Sequence, residues 1–231
     1  MTILDPEQLQ KWNGCLPNGI TIIGVGGSGS RVAEGLVRTG FGTDGSRITL
    51  IDGDCFEKHN LKNQLAGETD IGKKKVSGVA EQLKAIRRDI YVYEIGAYIK
   101  KPYALRGVVF LCLDSMYARR QIMEHSLENN DNVDCVIDPR LDSGVGVSYC
   151  FDPCSQIHQD CWWLYWHPDD EAENVAGCGG TPPTIASIFG TASLALKQFE
   201  HLLNAGTAHG IANRVYQDFD QYQLHSEVWP S

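Results

Sequence analysis

The sequence predicts an α/β fold built on a doubly wound, mostly parallel sheet with late antiparallel strands. Three observations carry that prediction. A short apolar run, Ile20-Thr21-Ile22-Ile23, leads straight into the glycine-rich turn Gly24-Val25-Gly26-Gly27-Ser28-Gly29-Ser30. A helical pattern follows, and then a second apolar run, Arg47 to Ile51, closes on Asp52. Strand, glycine turn, helix and strand with a terminal acid make the mononucleotide-binding unit of Rossmann-like sheets, in which a phosphate meets the amides of a helix N-terminus.

The elements follow in order. Residues 1–18 are polar and mixed, an N-terminal segment with a short helix ending near Gly14. Residues 19–231 read as one nucleotide-binding domain. Ser30 to Arg38 is a helix whose Val32, Leu36 and Val37 can face a sheet, and the glycines from Gly40 to Gly42 end it. Residues 53–72 form a functional loop around His59-Asn60-Leu61-Lys62-Asn63-Gln64. Lys73 to Arg87 is a helix, Ile90 to Ile95 a strand, and Val108 to Leu113 a strong strand ending on Asp114. A helix is expected from Arg119 to Leu127, a strand from Val133 to Ile137, and another from Val145 to Phe151. Residues 152–183, rich in Asp, Trp, Cys and Gly, read as an irregular crossing loop or lid. Thr184 to Leu203 is an apolar, small-residue helix suited to burial, and Ala212 to Trp229 holds one or two late strands.

Composition narrows the function classes. The chain of 231 residues is 42% apolar, enough for a sizeable core, and carries a net charge of -9. An acidic chain has little long-range pull on a nucleic-acid backbone, so no nucleic-acid partner is expected. No run approaches the roughly 18 consecutive apolar residues of a membrane span. The start MTILDPEQLQK lacks a basic region followed by an apolar run. A cytoplasmic protein without a membrane partner is expected, and its eight cysteines are expected as thiols. Cys112 and Cys135 suit apolar packing in strands. The tryptophans at 162, 163 and 166 suit a core edge or a partner groove.

Several side chains can do chemistry. Asp52, at a strand end, can accept the hydroxyls of a ribose. Lys75 opens a helix and can offset phosphate charge, with Lys73 and Lys74 competing for that role. Asp114 ends a strand where sheet ligands bind and can hold Mg²⁺, or cap the following helix. Arg119 can pair with Asp114 or with a phosphate. Cys178, in the context Gly-Cys-Gly-Gly, is a candidate nucleophile or a structural thiol. Zinc is not expected: Cys150, Cys154, Cys161 and Cys178 contain no paired CxxC.

Five segments in order carry a resemblance: GVGGSGS at 24–30, LIDGDCFEKHNLKNQ at 50–64, GKKKV at 72–76, LCLDSMYARR at 111–120 and CGGTPPTIASIFGTASLALKQ at 178–198. The chain resembles the ThiF/MoeB family, the adenylating domain of ubiquitin-activating (E1-like) enzymes, over about residues 18–203. The resemblance implies an adenylyltransferase that uses ATP and Mg²⁺. It activates the C-terminal glycine carboxylate of a ubiquitin-like or sulfur-carrier protein, releases pyrophosphate, and in some members goes on to a thioester on a cysteine, here matched by Cys178. It implies that Gly24, Gly26, Gly27 and Gly29 lie along the nucleotide, Asp52 binds the ribose, Asn60 holds the phosphate region, Lys75 steadies the transferring group and Asp114 binds Mg²⁺. A homodimer is implied as well. Two departures stand out. Asn63 takes the place of an arginine that touches the phosphates, and residues 1–19 contain no arginine to donate across a dimer. The departures suit a second reading, a catalytically weakened ATP-binding partner or scaffold. A nicotinamide or flavin oxidoreductase shares only the glycine turn and Asp52.

Overall fold

The computed structural model describes residues 19–43, 46–142, 144–169 and 183–230. Eight strands form one sheet: β1 (Ile20–Ile23), β2 (Ile48–Ile51), β3 (Val92–Ile95), β4 (Gly107–Leu111), β5 (Val133–Asp142), β6 (Val145–Phe151), β7 (Arg214–Asp218) and β8 (Gln223–Glu227). Their spatial order is β3-β2-β1-β4-β5-β6-β7-β8. The first five strands in chain order pair in parallel and the last three add on antiparallel. The predicted doubly wound α/β sheet with late antiparallel strands is the one observed.

Alternation along the strands builds two cores, because successive side chains leave a strand on opposite faces. Ile20, Ile22, Val108 and Phe110 enter one core; Ile23, Val109 and Leu111 enter the other. The first core is closed by α1 (Gly27–Arg38), α2 (Lys75–Ile86) and α5 (Ile185–Ala205). Val32 and Leu36 of α1, Val79 and Leu83 of α2, and Phe199 of α5 are buried in it. Each such side chain contributes about 1.5–3 kcal/mol on burial. The second core is closed by α3 (Met116–Ile122), the π-helical turn Met123–Leu127 and α4 (Gln156–Leu164). Trp162 of α4 is fully buried there beside Phe151.

The ends of the helices follow from local chemistry. Thr184 caps α5 by accepting from the Ser187 amide at 3.2 Å, and Gly206 ends it in the left-handed region at φ 72°. Gly35 lets Leu196 of α5 come down onto α1; a Cβ there would meet its methyl groups.

Three sequence expectations are corrected. The 152–183 stretch is not wholly irregular: Ser155 caps α4, and residues 170–182 lie outside the described residues. The strand expected to stop at Ile137 runs on to Asp142. Pairing with β4 ends at Phe110 and Ile137, so Pro139 pairs only with Ser148 of β6 and its missing N–H disrupts no ladder on the other side. The helix expected from Arg119 begins at Met116 and loosens into the π-helical turn. The expected N-terminal helix falls on residues 1–18, outside the described residues.

Candidate active site

The winding of the sheet reverses at β1. The chain leaves β1 for β2 on one side and returns to β4 on the other. At such a switch point the connections part to opposite faces and leave a crevice beyond the carboxyl ends of the strands. Here β5 and β6 run past the end of β4 and form a far wall, so the crevice widens into a cleft of about 1150 Å³.

The glycine turn forms its floor. Gly24 has φ +85°, and a Cβ there would press to 2.8 Å from the Cys112 carbonyl carbon, so β1 and β4 can close together only around glycine. Gly29 faces inward, not along the cleft as expected: a Cβ would collide with the Gly24 carbonyl oxygen and stand 2.9 Å from Cys112 Cβ. Its task is to seat α1 against the strand. Gly26 differs. The nearest atom to a Cβ there is Gln64 Nε2 at 3.7 Å, so nothing among the described residues demands the gap above it. α1 starts at Gly27 with no side-chain cap and no acid in its first turn, so its dipole and first amides are presented to the cleft.

Around that floor the structure brings Asp52, Asn63, Lys75 and Asp114 to one cleft. Asp52 Oδ2 accepts from the Val25 amide at 2.8 Å and its Oδ1 from the Asp54 amide at 2.9 Å, which locks the acid to the glycine turn. Each carboxylate oxygen keeps a further lone pair for a hydroxyl. Lys75 is buried at the start of α2, with Nζ 2.8 Å from Asp54 Oδ2. Hydrogen bonds from Lys75 and then Tyr98 hold the Asp54 carboxyl below its usual range. Lys73 pairs instead with Asp70 and Glu81, and Lys74 donates to the Gly53 carbonyl. Asn63 and Gln64 each leave a buried side-chain carbonyl oxygen without a hydrogen-bond partner beside the glycine turn.

Asn60 is not in this group. It is buried, and its Oδ1 accepts from the Glu57 amide at 2.9 Å, capping the 3-10 turn Lys58–Lys62 that carries Asn63. Asp114 is exposed at the bend after β4. It is not the cap of α3. Ser115 accepts from the Ala118 amide at 3.2 Å, and Asp169, from a distant segment, accepts from the Met116 amide at 2.5 Å. Burial pushes the Asp169 carboxyl up, but these donors outweigh it and its pKa lies below the usual value. Arg119 pairs with neither Asp114 nor an open face. Its Nε donates to buried Asp138 at 2.8 Å, Arg140 Nε donates to the same carboxylate at 2.9 Å, and Trp162 Nε1 at 2.9 Å. Sequence reasoning missed this network, Asp169 and Tyr98. The run Asp138-Pro139-Arg140 was the one visible signal for the first of them.

Cys178 lies outside the described residues. Cys150 is buried with Sγ 3.4 Å from Cys135 Sγ, while Cys154 is exposed beside Asp131. Among the described residues no three His, Cys, Asp or Glu side chains gather as a metal site, and no helix is long and apolar enough to cross a membrane. Mg²⁺ asks for less: one or two carboxylates, with phosphate and water completing its shell. The open Gly26 cradle, the uncapped helix end and the exposed Asp114 fit a metal-bound triphosphate.

The sequence matches the ThiF family over residues 3–206. It is 32% identical over 121 residues to the tRNA threonylcarbamoyladenosine dehydratase of Haemophilus influenzae, covering 49% of this chain and 45% of that protein. It is 25% identical over 195 residues to the sulfur carrier protein ThiS adenylyltransferase of Escherichia coli, covering 82% of this chain and 74% of that one. The structure of E. coli MccB with ATP superposes with a TM-score of 0.69 at 18% identity, over 96% of this chain and 66% of MccB. This chain thus spans less than half of the dehydratase it matches and about two thirds of MccB. With the glycine turn, the strand order and the matched span in agreement, the chain belongs to the ThiF family.

Proposed function

We propose that this chain is an ATP- and Mg²⁺-dependent adenylyltransferase that activates the C-terminal glycine carboxylate of a small ubiquitin-like or sulfur-carrier protein. The observation that carries the reading is the convergence of uncapped amides at Gly26 and Gly27 with Asp52, Lys75 and Asp114 in one cleft. The names of the ThiS adenylyltransferase and of MccB with ATP support it.

Each group has a physical task. The amides of the glycine turn receive phosphate, Asp52 accepts the ribose hydroxyls, and Asp114 would hold Mg²⁺. That ion, when bound, would neutralise phosphate charge. The far wall, where Leu141, Val145 and Val147 line the cleft, would take an extended chain terminus. One oxygen of the substrate carboxylate attacks the α-phosphorus. The bond from that phosphorus to the bridging oxygen breaks, and pyrophosphate leaves with the electron pair. No proton need move. Lys75 would meet the negative charge that grows during transfer, where a preorganised cation acts most strongly. A homodimer is part of this reading, and a thioester on Cys178 would be a later step.

One observation favours weaker catalysis. Among the described cleft residues each cation already has a carboxylate partner: Lys75 on Asp54, Arg119 and Arg140 on Asp138. Asn63 adds no charge where the family places an arginine. A nucleotide-binding scaffold would bind ATP without turnover. The test is ATP–pyrophosphate exchange with candidate carrier proteins ending in glycine. Exchange that requires the carrier and Mg²⁺ is expected; tight ATP binding without exchange selects the scaffold. A nicotinamide or flavin enzyme leaves Lys75 and Asp114 without a task.

A further inference from the structure

Beyond the end of β3, Ala97, Tyr98 and Ile99 line the cleft, and Tyr98 is 61% exposed. An exposed aromatic ring needs no special account in general, but this one is tethered. Its hydroxyl donates to Asp54 Oδ1, and its ring lies on the Gly53 backbone, where a Cβ would stand 2.6 Å from the ring carbons. The other oxygen of Asp54 holds Lys75 Nζ at 2.8 Å. The connections after β2 and β3 and the first residue of α2 therefore meet at one carboxylate.

The two partners in that ion pair differ. The Lys75 side chain is 10% exposed and the Asp54 side chain 44%. The stem of Lys75 is held by its surroundings and its ammonium follows the carboxylate it pairs with, whereas a half-exposed carboxylate with one tether is free to turn toward water. A second tether fixes its rotamer and with it the direction of the ammonium. We propose that Tyr98 is a positioning residue, whose hydroxyl anchors Asp54 so that Lys75 is aimed into the cleft, and whose ring forms the outer wall of the nucleotide site. This inference rests on the adenylation reading of the same cleft.

The surroundings agree. Lys75 acts on Asp54 from the start of α2, Lys74 from the residue before it, and Tyr98 from beyond β3. Asp52 and Asp114 act on Tyr98 from the ends of β2 and β4, and Lys100 lies 5.7 Å from its ring. The bond to Asp54 pushes the Tyr98 phenol up to about 12, so the donor keeps its proton throughout the neutral range.

Tyr98→Phe removes the hydroxyl and keeps the ring. With full-length protein and its carrier substrate, kcat for pyrophosphate exchange should fall roughly tenfold, the scale of one charge-assisted hydrogen bond, while KM for ATP stays within about twofold. Gly53→Ala keeps the hydroxyl but displaces the ring that carries it, and should lower kcat and raise KM together. Wild-type kcat in Tyr98→Phe overturns the proposal, as does a rise in KM alone. Wild-type protein that shows no exchange with any carrier overturns the adenylation reading itself and this inference with it, a result distinct from a silent Tyr98→Phe variant.

Discussion

Asp114 illustrates how a single side chain becomes available for function. Most acids in the cleft have a structural partner: Asp52 binds two amides, Asp54 a lysine, and Asp169 the first amide of α3. Asp114 sits beside α3, yet Ser115 and Asp169 do the capping, which leaves its carboxylate turned to solvent at the cleft. Asp114→Ala should therefore melt within about 0.5 kcal/mol of wild type while losing Mg²⁺-dependent exchange by roughly 10²–10³-fold; a magnesium titration of the exchange rate checks both the loss and its metal dependence. Asp52 and Asp114 were legible in the sequence because each follows an apolar strand. Asp169 was not, since it reaches α3 from 53 residues away and nothing local marks it. Tyr98 was hidden for the same reason. Asn60 was expected at the phosphate region, whereas its buried side chain supports the turn bearing Asn63.

Elements were read well where periodicity was strong and poorly where charge interrupted it. β1, β2 and the first half of α5 announced themselves by mainly apolar runs free of charge. The extension of β5 was invisible because Asp138, Pro139 and Arg140 look like a loop; they are strand because β4 has ended beside them and two guanidiniums neutralise the buried acid. α4, QIHQDCWWL, lacks a clean apolar stripe, and only Ser155 before it signals a start. The glycine turn divides its labour by element. Gly29 belongs to the contact between α1 and β1, so Gly29→Ala should cost about 1–3 kcal/mol or more by overpacking. Urea unfolding would measure that loss. An unchanged midpoint would show that α1 can move off the strand, contrary to the close approach seen here.

At the scale of the molecule, the parallel half of the sheet supplies the glycine-turn end of the cleft and the antiparallel half supplies its far wall. Asp138 joins the halves from beneath. Burial pushes its carboxyl up, but Arg140 and Arg119 outweigh that effect and leave its pKa below the ordinary value. A depressed pKa contributes stability that is present above about pH 4, the unfolded carboxylate value, and is lost as pH falls through the folded value. Asp138→Asn should cost about 3–5 kcal/mol near neutrality by stranding two buried cations. It should also flatten the acid side of the stability curve, a pair of effects that thermal melts across pH would reveal. On the proposed function, the gap over Gly26 exists for phosphate. Calorimetric titration of ATP with Mg²⁺ into wild type and into Gly26→Ala tests this, since among the described residues the added methyl comes no nearer than 3.7 Å to another atom. Wild type should bind and the variant should not, with matching melting temperatures. Equal binding by both, or none by wild type, would mean that the gap over Gly26 does not serve phosphate.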